Sequence, residues 1–509
     1  METGPRTRSL ARPLAALAFA LAYSQAPLYT SNQNQYFLHG AAAAGVGLLR
    51  LDWLANTQDP TPLFSLLVRL TFQFLHPMFF YLYALLLLGL YFHSLIGIAG
   101  EAFPETRKGQ ARQLLMVGLV FTHAAALRAL LTRALGPSWA YLFDGGVAGQ
   151  RLLGAVLQPS TFGVFLLLSV LLYVRRRPYA ALLAAVLAAS VHPTYLLSAA
   201  VLVLVYGGHS FRDRRLGAPL GMGALALLLV LPITVHTWLL FRPTSAQLAA
   251  QARQVLVSVR IPHHALVAEW LDLSVAFKGL WVLGGLWLAR RQRRLFALML
   301  ALLGVGLSLT LVQVLTGSEA LALLFPWRLS TLLVPLASAL WCAAGASWSA
   351  RRLGGPPRRA WLGAGAWALV TLLALAGVAD FGLAWRAKRA HPARPAMAYV
   401  AEHKAPGQVY LIPLRLQDFR LVSGAPAYVD FKAIPYRDVE VLEWFRRQRM
   451  AGWFYRDRVE EVDCELLPRF ALEGVTHILL PAHLFDLACP GLQVLYQDAH
   501  YRVLGLRGW

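Results

Sequence analysis

Apolar residues gather along this chain into runs of about 20, separated by short polar or basic stretches. A run of that length spans a hydrocarbon core about 30 Å thick as a single helix. About eleven such segments are readable: 10–29, 77–100, 113–135, 161–174, two short ones within 179–206, then 216–240, 273–289, 295–316, 323–348 and 360–381. The first follows Arg6 and Arg8 and includes Arg12. It has signal-peptide length, with Ser24-Gln25-Ala26 as a cleavage candidate, but more spans follow and an uncleaved helix is expected.

Residues 30–75 break the pattern. Tyr36, Phe37, Leu48, Leu49, Leu51, Trp53 and Leu54 form an amphipathic stretch interrupted by Gly40, Gly45 and Gly47. Thr61-Pro62 opens a second such stretch, through Leu75. Helices of this kind lie in the membrane interface rather than across it. The expectation is a long first external loop lying flat.

Basic clusters set the topology. Arg175-Arg176-Arg177 precede the stretch 179–206, and Arg212, Arg214 and Arg215 follow it. Cytoplasmic loops carry the excess of Lys and Arg, so one crossing would leave one cluster on the wrong side. A hairpin of two short helices turning at His192-Pro193 keeps both inside, and Pro193 disfavours a continuous helix there. Arg107, Lys108 and Arg112, Arg290 to Arg294, and Arg351 to Arg359 then share that face. The last span exits outward. This predicts a mostly α fold: a polytopic transmembrane helical bundle (1–383, with the first external loop at 30–75) and a small extracytoplasmic α/β domain (384–509). In the latter, strands are expected at 409–412, 427–429, 477–480, 494–496 and 501–504, and a helix at 439–447.

Composition agrees. Hydrophobic residues make up 58% of the 509 and charged residues 14%, with mean hydropathy +0.53; a soluble chain carries about a quarter charged residues. A net charge of +22 on a soluble protein would suggest nucleic acid. Here the basic residues sit between apolar runs, so membrane lipids are the expected partner and nucleic acid is not. Arg far outnumbers Lys and Ala and Leu abound, which fits a GC-rich bacterial genome and hence an inner-membrane protein. Cys342 lies in an apolar helix. Cys464 and Cys489 fall in the outer domain, where a disulfide or two free thiols are both open. No Walker loop, dinucleotide-binding glycine pattern or HExxH occurs, which leaves ATP-driven and zincin chemistry unsupported.

Function in a membrane protein concentrates where polar groups stand against the hydropathy. The first external loop holds Asn32-Gln33-Asn34-Gln35-Tyr36, His39, Asp52, Asn56, Asp59 and His76. Asp52 and Asp59 could act as general base on a hydroxyl, or could cap helices. Arg151 and Gln158 flank the fourth span after Asp144-Gly145-Gly146, and Arg328 stands at the outer end of a span. Each arginine suits a phosphate or simply snorkels to the interface. His192 occupies the hairpin tip, which Pro193 alone explains. Pro262-His263-His264 with Glu269 is a weak metal signal, because adjacent histidines diverge on a helix. His123 and His236 fall within spans.

The order of parts resembles the glycosyltransferase C superfamily of membrane enzymes. The resemblance is strongest over the first 80 residues: Tyr36, then Leu51-Asp52-Trp53-Leu54, then Pro60-Thr61-Pro62-Leu63-Phe64. It implies sugar transfer from a polyprenyl-phosphate donor at the outer membrane face. On that reading Asp52 or Asp59 is the catalytic base, Arg151 or Arg328 holds the lipid phosphate, and Asn34, Tyr36 and His192 contact substrate. The expected partners are membrane lipids and a lipid-linked sugar donor; no cofactor is expected, with a divalent metal left open. The departure is Asn32-Gln33-Asn34-Gln35, where the superfamily usually has an acidic pair; amides cannot serve as a base. A transporter, a lipid-handling protein, or a non-catalytic relative are the alternatives.

Overall fold

The computed structural model describes residues 5–212, 217–352, 356–455, 464–484 and 489–506, without the side chains of 5–12, 212, 218 and 356–362. Arg214 and Arg215, and the side chains of Arg6, Arg8, Arg12, Arg212, Arg358 and Arg359, therefore lie outside the described residues.

The protein is a polytopic helical membrane protein with a small C-terminal sheet. Six helices have the length and hydropathy of a crossing: Phe79–Ala102, Pro193–Phe211, Pro219–Leu240, Arg293–Thr316, Glu319–Arg352 and Gly363–Arg389. A further candidate is the pair Gly109–His123 and Ala125–Leu135, bent by 48°. Shorter apolar helices occur at Pro13–Tyr23, Pro159–Val174, Pro178–Val191 and Leu273–Ala289. With the bent pair counted once, these occupy the eleven positions read from the hydropathy. Pro219–Leu240 is only 6% buried across its apolar window, as a helix needs to be to face lipid on most of its circumference.

The chain forms two compact units. The first comprises Met1–Gln25, Tyr81–Val235 and Val257–Leu383; the second comprises Ala26–Phe80, His236–Leu256 and Ala384–Trp509. The unit holding the C-terminal residues thus also takes in the first loop and the segment around His236.

In the first unit, small residues let helices approach closely. Ala181, Ala185, Ala188 and Ala189 of Pro178–Val191 are buried, and this helix packs on Val164–Val174. Ser169 ties the two by donating to the Ala181 carbonyl at 2.6 Å. The chain breaks at His192-Pro193, and Leu196–Arg212 packs back on Pro178–Val191. At Gly377, an added Cβ would stand 2.0 Å from the Leu21 carbonyl oxygen. Only glycine allows that contact between the last long helix and the first.

The second unit contains a four-stranded sheet of order β1-β2-β4-β3: β1 Tyr410–Leu411, β2 His477–Pro481, β3 Leu492–Gln497 and β4 Tyr501–Leu506. β1 runs parallel to β2, and the other pairs are antiparallel. The expected strand 427–429 reduces to a single parallel bridge, Ala427 to Tyr410. Side chains alternate across a strand, and β2 uses both faces. Ile478 and Leu480 pack with Trp444, Val441 and Phe470, whereas Leu479 packs with Met397, Val400 and Val503. Helix Asp438–Phe454, longer than the expected 439–447, covers the first face. Cys464 and Cys489 are joined as a disulfide with Cα atoms 5.7 Å apart; Cys342 is free.

The first loop folds as short helices Gln33–Tyr36 and Leu38–Ala43, two single turns, and helix Pro62–Phe74. Gly40 admits the longer helix: a Cβ there would meet the Ser65 carbonyl at 2.5 Å. Phe64, Ser65, Val68 and Thr71 point inward, while Leu63, Leu66, Leu70 and Phe74 form an exposed apolar stripe. Such a stripe suits a helix bedded in the interface.

Candidate functional site

Asp52 caps the end of a single 3₁₀ turn, Leu49–Leu51, and lies just before a second, Leu54–Asn56. Its Oδ1 accepts from the backbone N–H of Leu54 at 2.9 Å and of Ala55 at 3.3 Å. Its Oδ2 accepts from Arg420 Nε at 2.6 Å and from the Ala427 N–H at 2.8 Å. Arg420 also bonds Asp430 and donates to the Ala427 carbonyl at 2.7 Å. Asp430 in turn caps the N–H groups of Lys432 and Ala433. All three side chains are 2% exposed or less. Burial pushes the Asp430 carboxyl up, against the lowering pull of Arg420 and the two N–H groups.

A carboxylate has about four acceptor positions, and those of Asp52 are filled. It is also sealed from solvent. The expectation of Asp52 as a general base is therefore corrected: this carboxylate has no lone pair to offer a hydroxyl, and it holds the loop in place. Arg420, which completes it, was not anticipated from the sequence. The only signal was a charge inside the otherwise apolar run Phe419–Val422.

Asp59 differs. It is half-buried; Oδ1 accepts from the Thr61 N–H at 2.9 Å, and its carbonyl meets His236 Nε2 at 3.0 Å. Among the described residues, Oδ2 makes no hydrogen bond. The adjoining Pro60 and Thr61 line a shallow cleft, open to solvent, with Gln35, Tyr36, His39 and Tyr436. Of the amides that stand where an acidic pair is usual, Gln33 and Gln35 are hydrogen-bonded. Gln33 accepts from the Tyr29 N–H at 2.8 Å, and Gln35 donates to the Tyr436 hydroxyl at 2.5 Å. Asn34 is 3% exposed, with Oδ1 lacking a partner among the described residues, and does not line the cleft.

The other candidates lie in the first unit, around the glycine-rich loop 141–151. An antiparallel bridge between Gly145 and Arg151 closes this loop, and Ala148 (φ 55°) and Gly149 (φ 64°) reverse it. Neighbouring helices pin its backbone. Val147 N–H donates to Ser330 Oγ at 2.7 Å, Lys278 Nζ to the Gly146 carbonyl at 3.0 Å, and Ser338 Oγ to the Phe143 carbonyl at 2.6 Å. His264 Nδ1 lies 2.6 Å from the Ala148 carbonyl. A carbonyl only accepts, so Nδ1 carries the proton and Nε2 is left as an acceptor. Burial first, then His263, brings the His264 pKa down to about 3, so the ring is neutral.

Arg151 stacks on Tyr141, its guanidinium 3.8 Å from the ring centre, and makes no hydrogen bond among the described residues. Arg328 lies over Tyr195 at 5.4 Å and Phe325 at 5.7 Å; its Nε is enclosed without an acceptor there. Both charges act on His264. His192 stands edge-on to the same Tyr195 at 5.4 Å. The structure thus gathers Arg151, Arg328 and His192 around His264 and Tyr195, although 177 residues separate the two arginines in sequence. Two guanidiniums with donors to spare, stacked on aromatic faces, suit a phosphate oxyanion. The rings of His263 and His264 lie 4.0 Å apart, against the expected divergence, but among the described residues no group of three His, Cys, Asp or Glu is placed to hold a metal.

Residues 392–451 match a family described as a domain of unknown function, DUF6798. No curated protein matches the chain. Among solved structures, the chain is similar to ArnT from Cupriavidus metallidurans bound to undecaprenyl phosphate, at 13% identity and TM-score 0.39. It is similar to the same protein in the apo state at 14% identity and TM-score 0.40; both alignments cover 99% of this chain and 98% of the other.

Proposed function

We propose that the protein transfers a sugar from a polyprenyl-phosphate donor to an acceptor hydroxyl at the outer face of a bacterial inner membrane. The observation that carries this reading is the pair Arg151 and Arg328, held among membrane helices with guanidinium donors unused. Both are partly exposed, and Arg328 Nε is enclosed without an acceptor among the described residues; a partly desolvated cation gains from an anion, and a lipid phosphate supplies one. The sequence resemblance to the glycosyltransferase C superfamily supplies the reaction class. In the reaction, the acceptor oxygen bonds the anomeric carbon as the bond from that carbon to the phosphate oxygen breaks. The phosphate leaves with the electron pair, its charge held by the arginines. The acceptor proton passes to a base, and the candidate this reading keeps is Asp59, whose Oδ1 accepts from the Thr61 N–H while its Oδ2 makes no hydrogen bond among the described residues.

The test uses the full-length protein in detergent and a radiolabelled polyprenyl-phosphate sugar. Asp59→Asn is expected to slow transfer by about 100-fold or more, the contribution of a positioned base, while lipid binding persists. Arg151→Ala and Arg328→Ala are each expected to weaken polyprenyl-phosphate binding about tenfold or more, the scale of a charge-assisted hydrogen bond. Transfer at the wild-type rate in the Asp59 variant removes that residue from the chemistry. The saturated Asp52 favours one second reading, a non-catalytic relative. Tight lipid binding by the wild type with no transfer to any acceptor would select it.

A further inference from the structure

We propose that Asp144 and Tyr23 form a hydroxyl-binding subsite for the sugar of the lipid-linked donor; this rests on the reading of Arg151 and Arg328 as its phosphate site. Asp144 lies in the pinned loop, 4% exposed, and its Oδ2 has no hydrogen-bond partner among the described residues. Tyr23 closes the helix Pro5–Tyr23, is 0% exposed, and its hydroxyl likewise has no partner there. Arg128 lies 4.2 Å from the ring centre of Tyr23 and 5.2 Å from that of Tyr141, three residues before Asp144, so the two groups share one neighbourhood, and neither open atom bonds the other. Buried polar atoms are nearly always satisfied in folded proteins, and each one left unmet costs about 1–3 kcal/mol. Two unmet groups in one neighbourhood, one an acceptor and one a donor, are open to a ligand that offers both.

The surroundings select that ligand. Arg128, Lys278 and Arg151 all lie within reach of the same electrostatic cluster. Their hydrogen bonds go elsewhere: Arg128 donates to the carbonyls of Tyr23 and His123, and Lys278 to that of Gly146. An ammonium ligand would be a fourth cation in this enclosure. An anionic ligand would press against the Asp144 carboxylate. A neutral hydroxyl meets both open groups, donating to Asp144 Oδ2 and accepting from the Tyr23 hydroxyl. Asp144 directly precedes Gly145, which bridges Arg151 across the loop. The hydroxyl subsite thus adjoins the phosphate arginine as a sugar adjoins its phosphate.

The experiment compares binding of two probes to the full-length protein in detergent: bare polyprenyl phosphate and polyprenyl-phosphate glucose. In the wild type the glucose-bearing lipid is expected to bind more tightly. Asp144→Ala and the milder Tyr23→Phe, which removes one oxygen, should each weaken it about tenfold, the worth of a hydrogen bond to a buried charged or polar group. Both variants should keep wild-type affinity for the bare lipid. Equal wild-type affinity for the two lipids, or unchanged binding in both variants, overturns the subsite; buried water then meets the open groups. Equal weakening of both lipids in both variants also overturns it, as a structural effect. In each of those cases bare-lipid binding by the wild type leaves the phosphate site standing. A wild type that binds neither lipid overturns both readings.

Discussion

Arg420 sits between two carboxylates, Asp52 and Asp430, out of contact with water. Removing one member of a buried ion cluster costs more than the cluster contributes, because the remaining charges are left without compensation. Arg420→Met leaves Asp52 and Asp430 facing each other and is expected to destabilise the folded protein by about 3–5 kcal/mol. A lowered thermal midpoint and a lower yield of monodisperse protein would show this; an unchanged midpoint would mean the cluster is dispensable. Asp52→Asn should act in the same direction, so lost activity in that variant must be read beside its stability. At this scale the sequence was legible only in part. Asp52 stood out as a charge against the hydropathy, and that much was sound. Its role was not readable, because a carboxylate that caps a turn and one that takes a proton share one local sequence. Arg420, 368 residues away, decides between them. Arg151 and Arg328 were readable as charges at helix ends, whereas Tyr195, which joins them, carries no local signal, and His264 was readable only as part of a weak metal pattern.

Among the elements, breaks were more legible than contacts. Pro193 announced the interruption between Pro178–Val191 and Leu196–Arg212, since proline removes a helix hydrogen bond wherever it falls. The approach of Gly377 to Leu21 was not announced, because a glycine in an apolar helix looks the same with or without a neighbour. Gly377→Val would force those helices apart at a cost of about 1–3 kcal/mol, measurable as a lowered midpoint; a midpoint at or above that of the wild type would contradict the contact. Helix Asp438–Phe454 carries a charge network in which Arg446 bonds Glu443 and Glu473, and Arg447 bonds Glu443. The Arg446 bonds first, then those of Arg447, hold the Glu443 carboxyl below its ordinary value. A depressed carboxyl pKa stabilises the fold above the unfolded value near 4.5, and that share fades as pH falls through the folded value. With Glu443 about a third exposed the effect is small. Protection of the amides of Asp438–Phe454, relative to their intrinsic exchange rates, should fall below pH 4.5 in the wild type and be less pH-dependent in Glu443→Gln; identical protection profiles would remove the network from the account.

For the whole molecule, the number and order of helices followed from apolar run lengths, a property each segment carries by itself. The composition of the second unit did not, because it joins three segments far apart in the chain. The proposed topology is open to a direct check. Single cysteines at Arg176 and at Leu472, which is 88% exposed, introduced with Cys342→Ser, should react differently with an impermeant maleimide applied to spheroplasts. Position 472 is expected to label at once and position 176 only after permeabilisation; labelling of both from the outside would refute the outward placement of residues 384–509.

The Asp52–Arg420 pair has a consequence for how the protein is made. A ribosome adds about 5–20 residues per second, so Asp52 emerges roughly 20–70 s before its arginine exists. During that interval nearly all the remaining helices are synthesised while the first loop still lacks its counter-charge. A premature stop between the last span, which ends at Arg389, and Arg420 would therefore yield an inserted bundle with a permanently open, charged loop. Such a product carries its own mark of incompleteness for proteolytic surveillance, and a chain that has closed the pair does not.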